Sequence, residues 1–236
     1  MPQLRRSSAA ILLILLFSAG SAFAGTLNVT FVSSGTMTMG GVYVGPYTIN
    51  VSNNGVGQNI TVICDDAVDL VHNGESWEAT SSTIASGLAG AKWAGVTIGA
   101  NVDGNSSAVT LTKVQEYEAI QYLAQLMIAN LSNRTTVGEI QWAIWDLTDP
   151  GLIKQSNGSE KWGNLSKYLA GIDGYIQAGI NNDGGSASQL VIYTPVPGSN
   201  PMPQEYVQVT PEPASLTLLG CGLLVIGGLL RKKLIG

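Results

Sequence analysis

The chain has 236 residues, a formal net charge of −5, 45% hydrophobic residues and only 11% charged ones. That length accommodates one modest domain with its own core plus apolar end segments. Its acidic balance, 11 Lys+Arg against 16 Asp+Glu, excludes a nucleic-acid binder that works by neutralising phosphates.

At the start, Arg5 and Arg6 precede an apolar run over residues 9–17, and Ala22-Phe23-Ala24 has the small-x-small spacing of a signal-peptidase site. Residues 1–24 are expected to be a signal peptide removed on export, because so short a run falls below the ~20 residues that span a bilayer. The ectodomain, residues 25–210, keeps six basic and fifteen acidic residues, a balance of −9.

The ectodomain opens in strands. Leu27, Val29 and Phe31 alternate, as do Tyr47, Ile49 and Val51, and Asn53-Asn54-Gly55 supplies a turn before the run Ile60 to Cys64. Counting by two from Ile60 puts Val62 and Cys64 on one face, which predicts a core-facing thiol. From Val114 the period changes, and Tyr117, Ile120, Ala124 and Met127 recur at helical spacing as far as about Asn130. A second helix is predicted from the Thr-x-x-Glu capping box Thr136-Val137-Gly138-Glu139 to the stop at Asp149-Pro150. Val137, Ile140, Ile144 and Leu147 form its apolar arc, which also takes in Gln141 and has Trp145 at its edge. A buried carboxamide without partners costs roughly 1 to 3 kcal/mol, so an inward glutamine needs a reason to be there.

A third helical stretch covers Leu165 to Ile180, and a strand-like run follows from Gln189 to Thr194. The Pro-rich segment after it reads as a loop, leaving Glu205 to Thr210 as a last strand or an extended leash. Strands, then helices, then strands predict an α+β fold: one exported domain with a β-rich sheet or barrel and a two- to three-helix subdomain. The expected layout is a signal peptide at 1–24, the ectodomain at 25–195, a linker or final strand at 196–209, and a separate C-terminal segment at 210–236.

In that last segment, Ala214 to Leu230 is 17 residues without a charge, followed at once by Arg231-Lys232-Lys233. This predicts one transmembrane helix with its basic membrane stop in the cytoplasm. Pro211-Glu212-Pro213 stands just before it as a stiff, non-helical spacer. The three ordered parts resemble the PEP-CTERM sorting signal of Gram-negative exported proteins. That resemblance implies anchoring in the inner membrane before processing, then cutting by an exosortase-type transpeptidase and transfer to the cell surface or extracellular matrix.

The two cysteines are Cys64 and Cys221. The second lies in the apolar C-terminal run, so no disulfide between them is expected, and a lone thiol in an exported domain calls for an explanation. An inward strand cysteine and a helix carrying Gln141-Trp142-Ala143-Ile144-Trp145 resemble the thioester domains of Gram-positive surface adhesins. There a strand cysteine is joined to the glutamine of a Gln-x-Ala-Ile-Trp helix. The resemblance implies Cys64 as thiol donor, Gln141 as acyl donor, and Asp65, Trp142 and Trp145 as the environment of the bond. Its target would be a surface amine or polysaccharide.

A second reading is an inert biofilm or exopolysaccharide matrix protein in which Cys64 is a small buried hydrophobe. A third is a cysteine hydrolase using His72, the sole histidine, but no orienting motif accompanies the pair, so neither catalytic residues nor an enzyme are expected. Asp65, Asp66 and Asp69 lack the spacing of a calcium loop, and neither metal nor cofactor is expected. Trp77, Trp93 and Trp162 read as core residues rather than as a carbohydrate platform.

Overall fold

The computed structural model describes residues 26–100, 105–153, 163–182, 190–198 and 202–210. Their strands are β1 (Thr26–Ser33), β2 (Thr38–Met39), β3 (Val42–Tyr43), β4 (Tyr47–Asn53), β5 (Val56–Cys64), β6 (Ser76–Thr83), β7 (Gly95–Ile98), β8 (Val109–Thr112), β9 (Leu190–Pro195) and β10 (Tyr206–Val209). The helices are α1 (Lys113–Ala129), α2 (Arg134–Thr148) and α3 (Leu169–Ile180). The fold is α+β, built on a closed antiparallel barrel in the order β1-β4-β5-β10-β9-β6.

Period-two alternation turns Val29 and Phe31 of β1, and Tyr47 and Ile49 of β4, into the barrel. The β4–β5 hairpin closes through Asn54 (φ 50) and Gly55 (φ 83), the positive-φ pair that matches the right-handed strand twist. Tyr206 fills the centre, with ring centroids of Phe31, Tyr47 and Trp77 at 6.1, 6.0 and 6.2 Å. Trp77 is therefore core. Trp93 lies under the Lys92 ammonium, 4.8 Å from its ring centroid, and Trp162 lies outside the described residues.

Thr112 caps α1 in a reciprocal box with Gln115. The cap of α2 differs from expectation: Asn133, not Thr136, is the N-cap, and its side chain accepts from the Thr136 N–H at 3.2 Å. Asparagine caps at least as well as threonine, and the earlier start adds Arg134, Thr135 and Thr136 to the helix. The predicted arc of α2 is buried, but so are Gly138, Trp142, Ala143, Trp145 and Asp146. Burial extends nearly all round because α1, α3, β2, β5 and β7 all pack on this helix. Helix α3 begins at Leu169 rather than Leu165, after a turn.

Residues Tyr206–Val209 form a strand between β5 and β9. The leash alternative for these residues is thereby corrected: the ladder takes up their backbone groups, and the core takes up Tyr206 and Val207. The signal peptide, Pro211-Glu212-Pro213, the apolar run and Arg231-Lys232-Lys233 all lie outside the described residues. Among those described, no helix is long and apolar enough to cross a membrane.

Candidate functional site

β5 ends by delivering Cys64 into the core, opposite Tyr206 of β10. Strand alternation faces its thiol inward, as the sequence predicted, and leaves it fully buried. The thiol donates to the Asp66 carbonyl at 3.1 Å, and the Asp66 N–H points back at Sγ from 3.4 Å.

Gln141 reaches the same place from α2. Its Nε2 donates to the Cys64 carbonyl at 2.6 Å, and its Oε1 accepts from the Gly45 N–H at 3.3 Å. The carboxamide is thus held at both ends beside the cysteine, with its nitrogen toward Cys64 and its oxygen toward a backbone donor. Gly45 makes the fit possible. A Cβ there would stand 2.8 Å from Gln141 Oε1 and 3.2 Å from Tyr47 Cε2.

Neighbouring groups fix the frame. Thr148, two turns after Gln141 on α2, donates from its hydroxyl to the Asp65 carbonyl at 3.0 Å. Trp142 and Trp145 meet edge to face at 5.2 Å and 87°, and Trp142 Nε1 donates to the Met39 carbonyl at 3.3 Å. Trp145 and Tyr47 also help to line a cleft of about 390 Å³, together with Phe31, Tyr43, Leu70 and His72. Cys64 itself is not part of that lining.

Burial pushes the Cys64 thiol well up, with the Asp66 charge adding to it, and the hydrogen bond from the Asp66 N–H only partly opposes this. The resting sulfur is neutral. A thiol and a clamped carboxamide are the reactant pair of a condensation in which Sγ would bond to Cδ, the Cδ–Nε2 bond would break, and the thiol proton would leave on ammonia. Negative charge developing on Oε1 would face the Gly45 N–H.

Around this centre lies an acidic cluster. Asp66 accepts from Lys92 Nζ at 2.6 Å and from the Val68 and Asp69 N–H groups, while Asp69 shares the same ammonium at 2.7 Å. Glu205 accepts from the Tyr117 and Thr194 hydroxyls and from the Lys92 N–H at 2.9 Å. Asp65 is fully buried, and burial, followed by the Glu205 charge, pushes its carboxyl well above the usual range. His72, the base a hydrolase would need, stands exposed at the cleft rim with its Nδ1 3.6 Å from Glu75. The sequence singled out Cys64, Gln141, Asp65, Trp142 and Trp145, all of them buried, and did not single out Gly45, Thr148 or Glu205.

The site thus belongs to an α+β barrel domain with a cysteine and a glutamine brought together in its core. No family model matches the chain, and no curated protein matches it. Among solved structures it is similar to the N-terminal domain of the Streptococcus pyogenes pilus tip adhesin Cpa, with a TM-score of 0.42 and 13% identity over 82% of this chain and 97% of that one.

Proposed function

We propose that this is an exported surface protein whose domain condenses Cys64 with Gln141 into an internal thioester and uses it to attach covalently to an amine-bearing target. The observation that carries the reading is the clamp on Gln141, whose amide nitrogen is held on the cysteine's own carbonyl and whose oxygen is held on the Gly45 N–H. Condensation would account for a lone thiol in an exported domain and for a glycine against which the carboxamide packs closely. A thioester is an activated acyl group, so it must be kept from water until an amine arrives, and the buried Trp145 and Tyr47 rings that line the cleft suit that task.

Sorting by an exosortase-type transpeptidase at Pro211-Glu212-Pro213, with anchoring by the apolar run and Arg231-Lys232-Lys233, completes the proposal. Replacing the triplet by alanines is expected to leave export intact but to keep the protein in the inner membrane; fractionation showing unchanged release overturns that part.

Intact mass tests the bond. The domain should weigh about 17 Da less than its sequence, the loss of one ammonia, and should add methylamine. Cys64→Ala and Gln141→Ala should each abolish both effects. A full mass with an immediate thiol count supports the second reading, a non-catalytic matrix protein.

A further inference from the structure

β10 pairs with β5 so that Tyr206 stands opposite Cys64 and Val207 opposite Ile63. The same antiparallel register, carried one step past the ladder, sets Glu205 opposite Asp65. Both carboxyls are fully buried. Like charges directly opposite each other destabilise a sheet even at its surface, and two adjacent carboxylates in a dry site cannot both ionise.

Their surroundings differ. Glu205 takes three donors, from Tyr117, Thr194 and the Lys92 N–H. Neither carboxyl oxygen of Asp65 meets an N–H or O–H donor. The Glu205 charge acts on it instead, and a hydrogen bond between two carboxyls exists only with a proton between them. Other titratable groups facing the pair do not supply a countercharge. Asp66 and Asp69 take up the Lys92 ammonium. Glu116 of α1 accepts from the Gly95 N–H and lies near Lys113. Burial keeps Cys64, Tyr117 and Tyr206 neutral.

We propose that Asp65 keeps its proton against the facing Glu205 carboxyl, and that this contact holds the Cys64 turn against the last strand, so that the Cys64–Gln141 bond stays shielded only while the proton is present. The inference rests on the thioester reading. The turn it secures carries the Cys64 carbonyl that orients Gln141, the Asp65 carbonyl bound by Thr148, and the Asp66 carbonyl that accepts from the thiol. Losing the Asp65 proton sets two carboxylates against each other at the foot of this turn and drives it away from β10. Asp65 and Glu205 are positioning residues; neither bonds to the reacting atoms.

The test is the pH profile of methylamine incorporation by the full-length mature protein from pH 5 to 9, in wild type, Asp65→Asn and Glu205→Gln. Either neutral variant serves as the reference if the other fails to fold. Dividing wild-type rates by a variant's rates cancels the ionisation of the amine. That ratio should climb toward alkaline pH by up to about tenfold per pH unit, the limit for loss of one proton, while the two variants run parallel. A purely structural role would shift the rates equally at every pH, and a flat ratio overturns the proposal. If the wild-type mass shows no ammonia loss, the thioester reading fails and the same ratio is taken for alkylation of Cys64 by iodoacetamide. A rising ratio then upholds the pair's hold on the Cys64 turn, and a flat one overturns it.

Discussion

Gly45 shows how much of the site one absent methyl decides. Its backbone conformation does not demand glycine, but its neighbour does, since a Cβ would press on the carboxamide oxygen of Gln141. Gly45→Ala is expected to displace that carboxamide, costing about 1 to 3 kcal/mol of stability and suppressing the ammonia loss, as read by melting and by intact mass over time. The buried carboxyls give a prediction of opposite kind. Burial pushes Glu116 up to about 7, and Asp65 rises well above the ordinary range. The folded state therefore holds protons that the unfolded chain has already released above about pH 4, and stability must fall as pH rises from there through 7. Melting temperatures should be highest on the acid side, and Glu116→Gln should flatten the part of the decline that ends near 7; a melting temperature that rises across this window would contradict both assignments. Cys64 and Gln141 were legible in the sequence because alternation and helical phase are local signals. Gly45 and Glu205 were not, because nothing near them in the chain announces partners such as Gln141, which lies 96 residues from Gly45.

Among the elements, α2 carries the site. Its existence and its inward face follow from the spacing of Val137, Ile140, Ile144 and Leu147, all fully buried. Ile144→Ala should cost roughly 2 to 5 kcal/mol, read as a lowered melting midpoint. Where the helix starts was decided by a contest between two caps three residues apart, which pattern alone does not rank. Asn133→Ala should cost about 1 kcal/mol and Thr136→Ala distinctly less, since it is Asn133 that accepts the Thr136 N–H. β10 was harder to read. Its four residues are too few to display a period, and its lead-in holds Pro203, so only the vacancy between β5 and β9 settles that it is a strand.

The barrel as a whole is closed by that strand. A chain ended after Gln204 leaves the edges of β5 and β9 unpaired and removes Tyr206 from the aromatic centre. Such a chain should show no cooperative melting by circular dichroism and no ammonia loss by mass. Because synthesis runs from the N-terminus, closure also has a place in time. Glu205 and Tyr206 emerge after nearly all of the domain, and pairing between strands so distant in sequence is slow. Until it happens Cys64 has no Tyr206 across from it and Asp65 no Glu205. On the proposed chemistry, a nascent or translocating chain carries only a plain thiol and a plain amide, indifferent to the amines of the cell that makes it. The acylating group would appear as the closing event of folding, after the chain has left the compartment in which premature reaction would do harm.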